Sequence, residues 1–127
     1  MTLASPPLRL AALAFALSCS GAVADAEAPP YAPAQADYRI YSRELGEPAP
    51  ANAADAKVAL FVHGSTAKEL FDRLGKDRFD ACTDGQQIRV RTAPGGRLRC
   101  QREADGTYNC TFGIDLKKGT LIHGSIC

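Results

Sequence analysis

All but one of the five cysteines in this 127-residue chain fall late, at Cys82, Cys100, Cys110 and Cys127. Four cysteines in so short a stretch restrict the fold more than any other feature. An even set in a small exported domain reads as two disulfides, and such staples matter where the core is small. Each bond contributes about 2–4 kcal/mol, mainly by restricting the unfolded chain. No pair has C-x-x-C spacing, which argues against thioredoxin-like redox chemistry. With only His63 and His123 as histidines, no finger-like Cys/His cluster exists for zinc.

The fifth cysteine, Cys19, belongs to a different segment. Arg9 supplies a positive n-region, Leu10 to Leu17 are all Leu, Ala or Phe, and Ala22-Val23-Ala24 forms an A-x-A cleavage site before Asp25. Residues 1–24 therefore read as a secretory signal peptide. The apolar run is far shorter than the ~20 residues that span a bilayer, so no transmembrane span is expected after cleavage. An alternative is a lipid anchor on Cys19, but Ala16 stands where a lipoprotein signal usually has Leu. The expected location is the periplasm or the exterior.

Cleavage leaves about 100 residues, enough for one domain. Charge is nearly balanced, with 15 Lys+Arg against 14 Asp+Glu. The two signs are unevenly placed. Residues 25–56 are acidic (Asp25, Glu27, Asp37, Glu44, Glu47 and Asp55 against Arg39 and Arg43), whereas residues 88–127 are basic. Residues 25–56 are also rich in Ala and Pro, which suits an extended tail or linker. Tyr38-Arg39-Ile40-Tyr41 alternates within it and is the one candidate edge strand.

The folded domain is expected over 57–127. Val58, Leu60 and Val62 alternate with Ala59, Phe61 and His63, a strand with two largely apolar faces. Ser65 or Thr66 then caps a helix, with Thr66-x-x-Glu69 as a capping box. Ala67, Leu70, Phe71 and Leu74 make its apolar face, Glu69 and Arg73 have ion-pair spacing, and Gly75 ends it. Strand character follows around Ile88–Arg91, Arg97–Cys100, Tyr108–Leu116 and Leu121–Ile126, separated by Pro94-Gly95-Gly96, Asp105-Gly106 and Lys117-Lys118-Gly119. The expected fold is α+β, one helix on a small antiparallel sheet in the order β-α-β-β-β-β. Alternation puts Cys100 and Cys110 on the inward face. Of the three possible pairings, Cys82–Cys100 with Cys110–Cys127 is favoured, since Cys82 follows the helix and the 117–119 turn returns Cys127 towards Cys110.

Arg89, Arg91, Arg97 and Arg99 are the candidate partner-binding residues, expected on the solvent side of two neighbouring strands. An odd-length loop would oppose Arg91 to Arg97 and Arg89 to Arg99, an unfavourable arrangement that something must offset. Solvation, the acidic 25–56 segment, or an external anionic partner are the options weighed. Nucleic acid is a poor candidate for a neutral exported chain.

His-Gly-Ser occurs twice, at His63–Ser65 and His123–Ser125. A small hydrolase using either histidine is an alternative, but no G-x-S-x-G elbow accompanies it. Asp72, Asp77, Asp80 and Asp84 lack the calcium-loop spacing and read as a solvated face. Tyr31, Tyr38, Tyr41 and Phe61 are aromatic candidates for contact with a partner. No cofactor or metal is implied. In size, compartment and staples the chain resembles small exported inhibitors of cell-wall or proteolytic enzymes, a likeness that carries no motif. The functional expectation is a non-enzymatic exported module that binds another exported or envelope protein, with an anionic surface as a second possibility.

Overall fold

A computed structural model describes residues 1–4, 21, 24 and 26–126. The apolar run expected to belong to a signal peptide, Cys19 and Cys127 lie outside the described residues. Residues 1–31 form one unit, and its described positions are exposed and without helix or strand. Residues 32–127 form the other, and all that follows concerns it.

Six antiparallel strands and one helix make up this unit, an α+β arrangement. They are β1 (Ala36–Tyr41), β2 (Lys57–His63), α1 (Gly64–Arg73), β3 (Arg89–Thr92), β4 (Arg99–Arg102), β5 (Tyr108–Asp115) and β6 (Thr120–Ile122). The sheet order is β1-β2-β5-β4-β3, with β6 pairing to β5 beyond the end of β4. β5 is central because it has the longest alternating face, long enough to hold β2 on one side and two short strands on the other.

The extra strand relative to the expected order is β1. Residues 36–41 pair with β2 along its whole length, from Ala36 opposite Val62 to Tyr41 opposite Lys57. The compact unit accordingly begins at Ala32, not near Lys57, and much of the Ala/Pro-rich stretch is built into it. Tyr41 is buried, and Ser42 bridges Ala49 through two backbone bonds of 2.8 and 3.1 Å. Proline flanks this strand on both sides without entering it, so no ladder donor is lost.

Helix α1 lies over β5, β4 and β2 and buries Ala67 and Phe71, with Leu70 and Leu74 packed beside them. Its N-terminus departs from the capping box. Gln35, just before β1, supplies the cap: its Oε1 accepts from Ser65 N–H at 2.8 Å and from Ser65 Oγ at 2.9 Å. Gln35 N–H in turn donates to Thr66 Oγ1 at 3.1 Å. Gly64 makes this possible, with φ +62° and a position where a Cβ would meet Gln35 Oε1. The ion pair at i,i+4 spacing is Lys68–Asp72, not Glu69–Arg73. The helix ends at Arg73, and Leu74 N–H closes on Leu70 and Phe71 carbonyls.

One disulfide is described, and it corrects the favoured pairing. Cys100 and Cys110 are direct cross-strand partners of β4 and β5, their Cα atoms 3.9 Å apart, and they are bonded to each other. Both are fully buried under the helix beside Val62 and Phe71. Alternation places them on the inward face as expected. The hairpin register brings them opposite, which excludes Cys82–Cys100 and Cys110–Cys127.

Candidate functional site

The helix covers one face of the sheet, so the other face decides what the molecule can present. Cross-strand register assigns Phe61, Thr111, Asn109, Gln101, Arg99, Val90 and Thr92 to this outer face. The four candidate arginines do not share it. Arg91 lies opposite Cys100 and Arg89 opposite Arg102, which puts both on the helix face, while Arg99 lies opposite Thr92 on the outer face. The reason is the turn. Ala93 N–H bonds Leu98 C=O, so the turn spans an even number of residues, and the change of parity flips every β3 side chain relative to the odd-loop expectation.

Two aspartates offset these arginines, which the reading of a solvated acidic face did not anticipate. Asp77 accepts from Arg89 Nε at 2.6 Å and from Arg91 Nε at 2.8 Å on the helix side. Arg91 also stacks on Phe71, 4.2 Å from the ring centroid, and donates to the Phe71 carbonyl. The chain then rounds the β3 edge, where Arg78 N–H bonds Val90 C=O at 2.7 Å. On the outer side Asp80 accepts from Arg99 Nε at 2.9 Å. Hydrogen bonds from Arg89, then Arg91, hold the Asp77 carboxyl below its usual value, and Arg99 does the same for Asp80. The signal for this arrangement was available as acids spaced along the connection after the helix, but pairing them required the register.

Arg99 begins a row of hydrogen-bonded side chains across the outer face. Arg99 Nη1 donates to Gln101 Oε1, Gln101 Nε2 donates to Glu103 Oε1, and Asn109 Nδ2 donates to the same oxygen at 2.7 Å. Beside the row, Thr111 Oγ1 lies 2.8 Å from Ser125 Oγ, pinning the C-terminal segment over the sheet. That segment crosses closely: Gly124 sits where a Cβ would be 2.4 Å from the Phe112 backbone.

The connection and the C-terminal segment rise on either side of the row and leave a cleft of about 600 Å³. Asp80, Cys82 and Thr83 form one wall, His123 to Ile126 the other, and Arg99, Gln101 and Thr111 the floor. Arg97 lines it too, exposed and with no ion pair among the described residues. Phe61, 44% exposed, joins this cleft to a smaller one of about 470 Å³ bounded by Asp37, Arg39, Leu45 and Ile126.

Among the described residues, neither His63 nor His123 hydrogen-bonds a serine hydroxyl. His63 approaches Asp37 at 3.7 Å, while the Ser65 hydroxyl donates to Gln35. His123 lines the cleft, but the Ser125 hydroxyl is engaged by Thr111. Among the described residues no three or more His, Cys, Asp or Glu side chains converge as a metal site. No described helix is long and apolar enough to cross a membrane. Of the aromatic candidates, Tyr41 is buried, Tyr38 is exposed on β1, and Tyr31 lies in the N-terminal unit.

No family model, curated protein or solved structure matches this chain.

Proposed function

We propose that this chain is an exported, non-enzymatic binding module, periplasmic or secreted, whose partner seats in the outer cleft. One observation carries the reading: a prealigned polar row, Arg99–Gln101–Glu103–Asn109, beside the uncommitted Arg97. Side chains already bonded to one another lose little rotamer freedom on binding, so such a surface is preorganised for recognition. Arg97 favours a partner that brings a carboxylate into the cleft. The partner class is another exported or envelope protein. A specific form is an inhibitor of an exported hydrolase, with a turn such as 93–96 or 104–107, each closed by a backbone hydrogen bond, presented to the target.

A second disulfide, Cys82–Cys127, belongs to the same reading. These are the cysteines left in the domain once Cys100 and Cys110 are joined. Cys82 is already committed to an interaction, and it lines the same cavity as Ile126, the residue before Cys127. Peptide mapping without reduction tests the pair, and a Cys82 peptide linked to any other cysteine refutes it. Export is tested by intact mass: a chain starting at Asp25 supports it, and a diacylated chain starting at Cys19 makes the protein envelope-anchored.

The binding reading is tested by titrating the protein with a capped Glu/Asp-rich peptide and following side-chain amide resonances. Shifts at Gln101 and Asn109, lost in Arg97→Glu, support it, and unmoved resonances overturn it. The inhibitor form fails if the pure protein leaves a panel of lysozymes and proteases unaffected.

A further inference from the structure

The open edge of β1 is self-complementary, and we propose that it joins two copies of this chain through an antiparallel β1–β1 pair centred on Tyr38. This goes beyond the cleft reading and rests on a different surface.

Backbone direction defines how much edge is open. Gln35 C=O accepts from His63 N–H at 3.0 Å, so it points towards β2, and Asp37, Arg39 and Tyr41 share that direction. Ala36, Tyr38 and Ile40 then direct their N–H and C=O groups outward. Ser42 has the same outward direction, and its two groups are taken by Ala49. The open stretch within β1 is therefore Ala36 to Ile40, bounded by the start of the strand on one side and by the Ser42–Ala49 bridge on the other. Its midpoint is Tyr38.

A two-fold axis at Tyr38 uses every open group. Tyr38 faces Tyr38 of the second copy, and Ala36 faces Ile40 in both directions, each an outward-pointing pair that exchanges two hydrogen bonds. The same register sets Asp37 of each copy opposite Arg39 of the other. Both charges are on offer: Asp37 is 81% exposed with only a 3.7 Å approach to His63, and Arg39 has no ion pair among the described residues. Single charges on an edge strand usually block pairing, but opposite charges placed symmetrically about the midpoint favour one partner, a copy of the strand itself.

A second observation agrees. Ile40, Val58, Ile114 and Leu121 are successive cross-strand neighbours, an apolar row over β1, β2, β5 and β6 on the helix side of the sheet. Ile40 and Leu121 remain 52% and 45% exposed, and Tyr38 on the same face is 73% exposed. Pairing the edges sets the two Tyr38 side chains against each other across the axis and places the Ile40 end of each row beside Ala36 of the other copy, covering surface a monomer leaves wet at Tyr38 and Ile40.

Analytical ultracentrifugation of the native, disulfide-intact protein tests the proposal. A species of twice the chain mass is expected at micromolar to millimolar concentration. Asp37→Arg and Arg39→Asp are each expected to weaken it about tenfold or more by opposing like charges. The double swap Asp37→Arg with Arg39→Asp restores self-association, and an equimolar mixture of the two single variants forms a heterodimer. Circular dichroism confirms that each variant is folded. A wild-type monomer throughout the range, or a dimer indifferent to both single changes, overturns the proposal. Association only with a foreign β-strand peptide overturns it as well.

Discussion

Asp80 on the connection after the helix meets Arg99 on the outer face of β4, Oδ2 to Nε, at 2.9 Å. Both side chains are largely shielded, 16% and 22% exposed, so neither charge is cheaply returned to water. Asp80 also caps its own loop, accepting from Cys82 N–H at 3.0 Å. Asp80→Ala is expected to cost about 1–3 kcal/mol in urea unfolding, by stranding Arg99 and opening the cleft wall. Asp80→Asn retains an acceptor for the loop and should cost less. Equal losses in the two variants would show that the contact with the Arg99 charge accounts for the whole effect and the loop acceptor for none of it.

Acid should loosen both arginine clusters together. In the folded chain Asp77 and Asp80 titrate below their usual value because arginines hydrogen-bond their carboxylates. The unfolded chain therefore takes up protons first as pH falls. The stabilisation is complete above the ordinary aspartate range, about pH 4, and is lost as pH drops through the depressed folded values. Unfolding free energy measured from neutral pH downward should fall below about pH 4, and the fall should be shallower in Asp80→Asn. An identical slope in that variant would assign the acid sensitivity to other groups.

Cys100 and Cys110 should be the core's largest single dependence on oxidation. Their bond joins β4 to β5 directly beneath Ala67 and Phe71. The double change Cys100→Ala, Cys110→Ala is expected to cost about 2–4 kcal/mol, read as a lower midpoint in urea. Unchanged stability would mean that the packing of Val62 and Phe71 alone holds this hairpin.

The C-terminal crossing tolerates only glycine at 124. A Cβ there would meet backbone atoms of Phe112, which have no side-chain freedom with which to give way. Gly124→Ala is expected to cost about 1–3 kcal/mol and to release the Thr111–Ser125 bond. Faster hydrogen exchange confined to residues 120–126 would confirm it. Unaltered exchange would mean that the segment shifts without detaching.

Gln35→Ala removes the cap on α1 from outside the helix. The expected loss is about 1 kcal/mol, comparable to deletion of an ordinary N-cap. Thermal unfolding reads it, and a change as large in Thr66→Val would apportion the two halves of the exchange.

Periodicity alone located α1, β2, β5 and the inward position of Cys100 and Cys110, because burial on one face writes itself into residue order at spacings of 3.6 and 2. β1 was visible as alternation at Tyr38–Tyr41, yet the surrounding Ala and Pro gave no local sign that β2 would recruit it. The capping box at Thr66 was a sound local pattern that a distant residue displaced: Gln35 reaches the same N–H groups once β1 is paired. The disulfide turned on the β4–β5 register, and the arginine faces on parity. One residue more or less in the 93–98 turn exchanges the two faces of β3, and composition does not encode that choice.

Residue order therefore dictates the elements, the apolar faces and the supply of cysteines and charges, since each depends on neighbours a few residues apart. Which groups meet is a property of the folded chain: Cys100 with Cys110, Asp77 and Asp80 with three of the arginines, and Ser125 with Thr111 over the cleft. Those partners are brought together by strand register and by the chain's path around the β3 edge. Both are set by packing of the whole sheet, a global energy that no local stretch of residues contains.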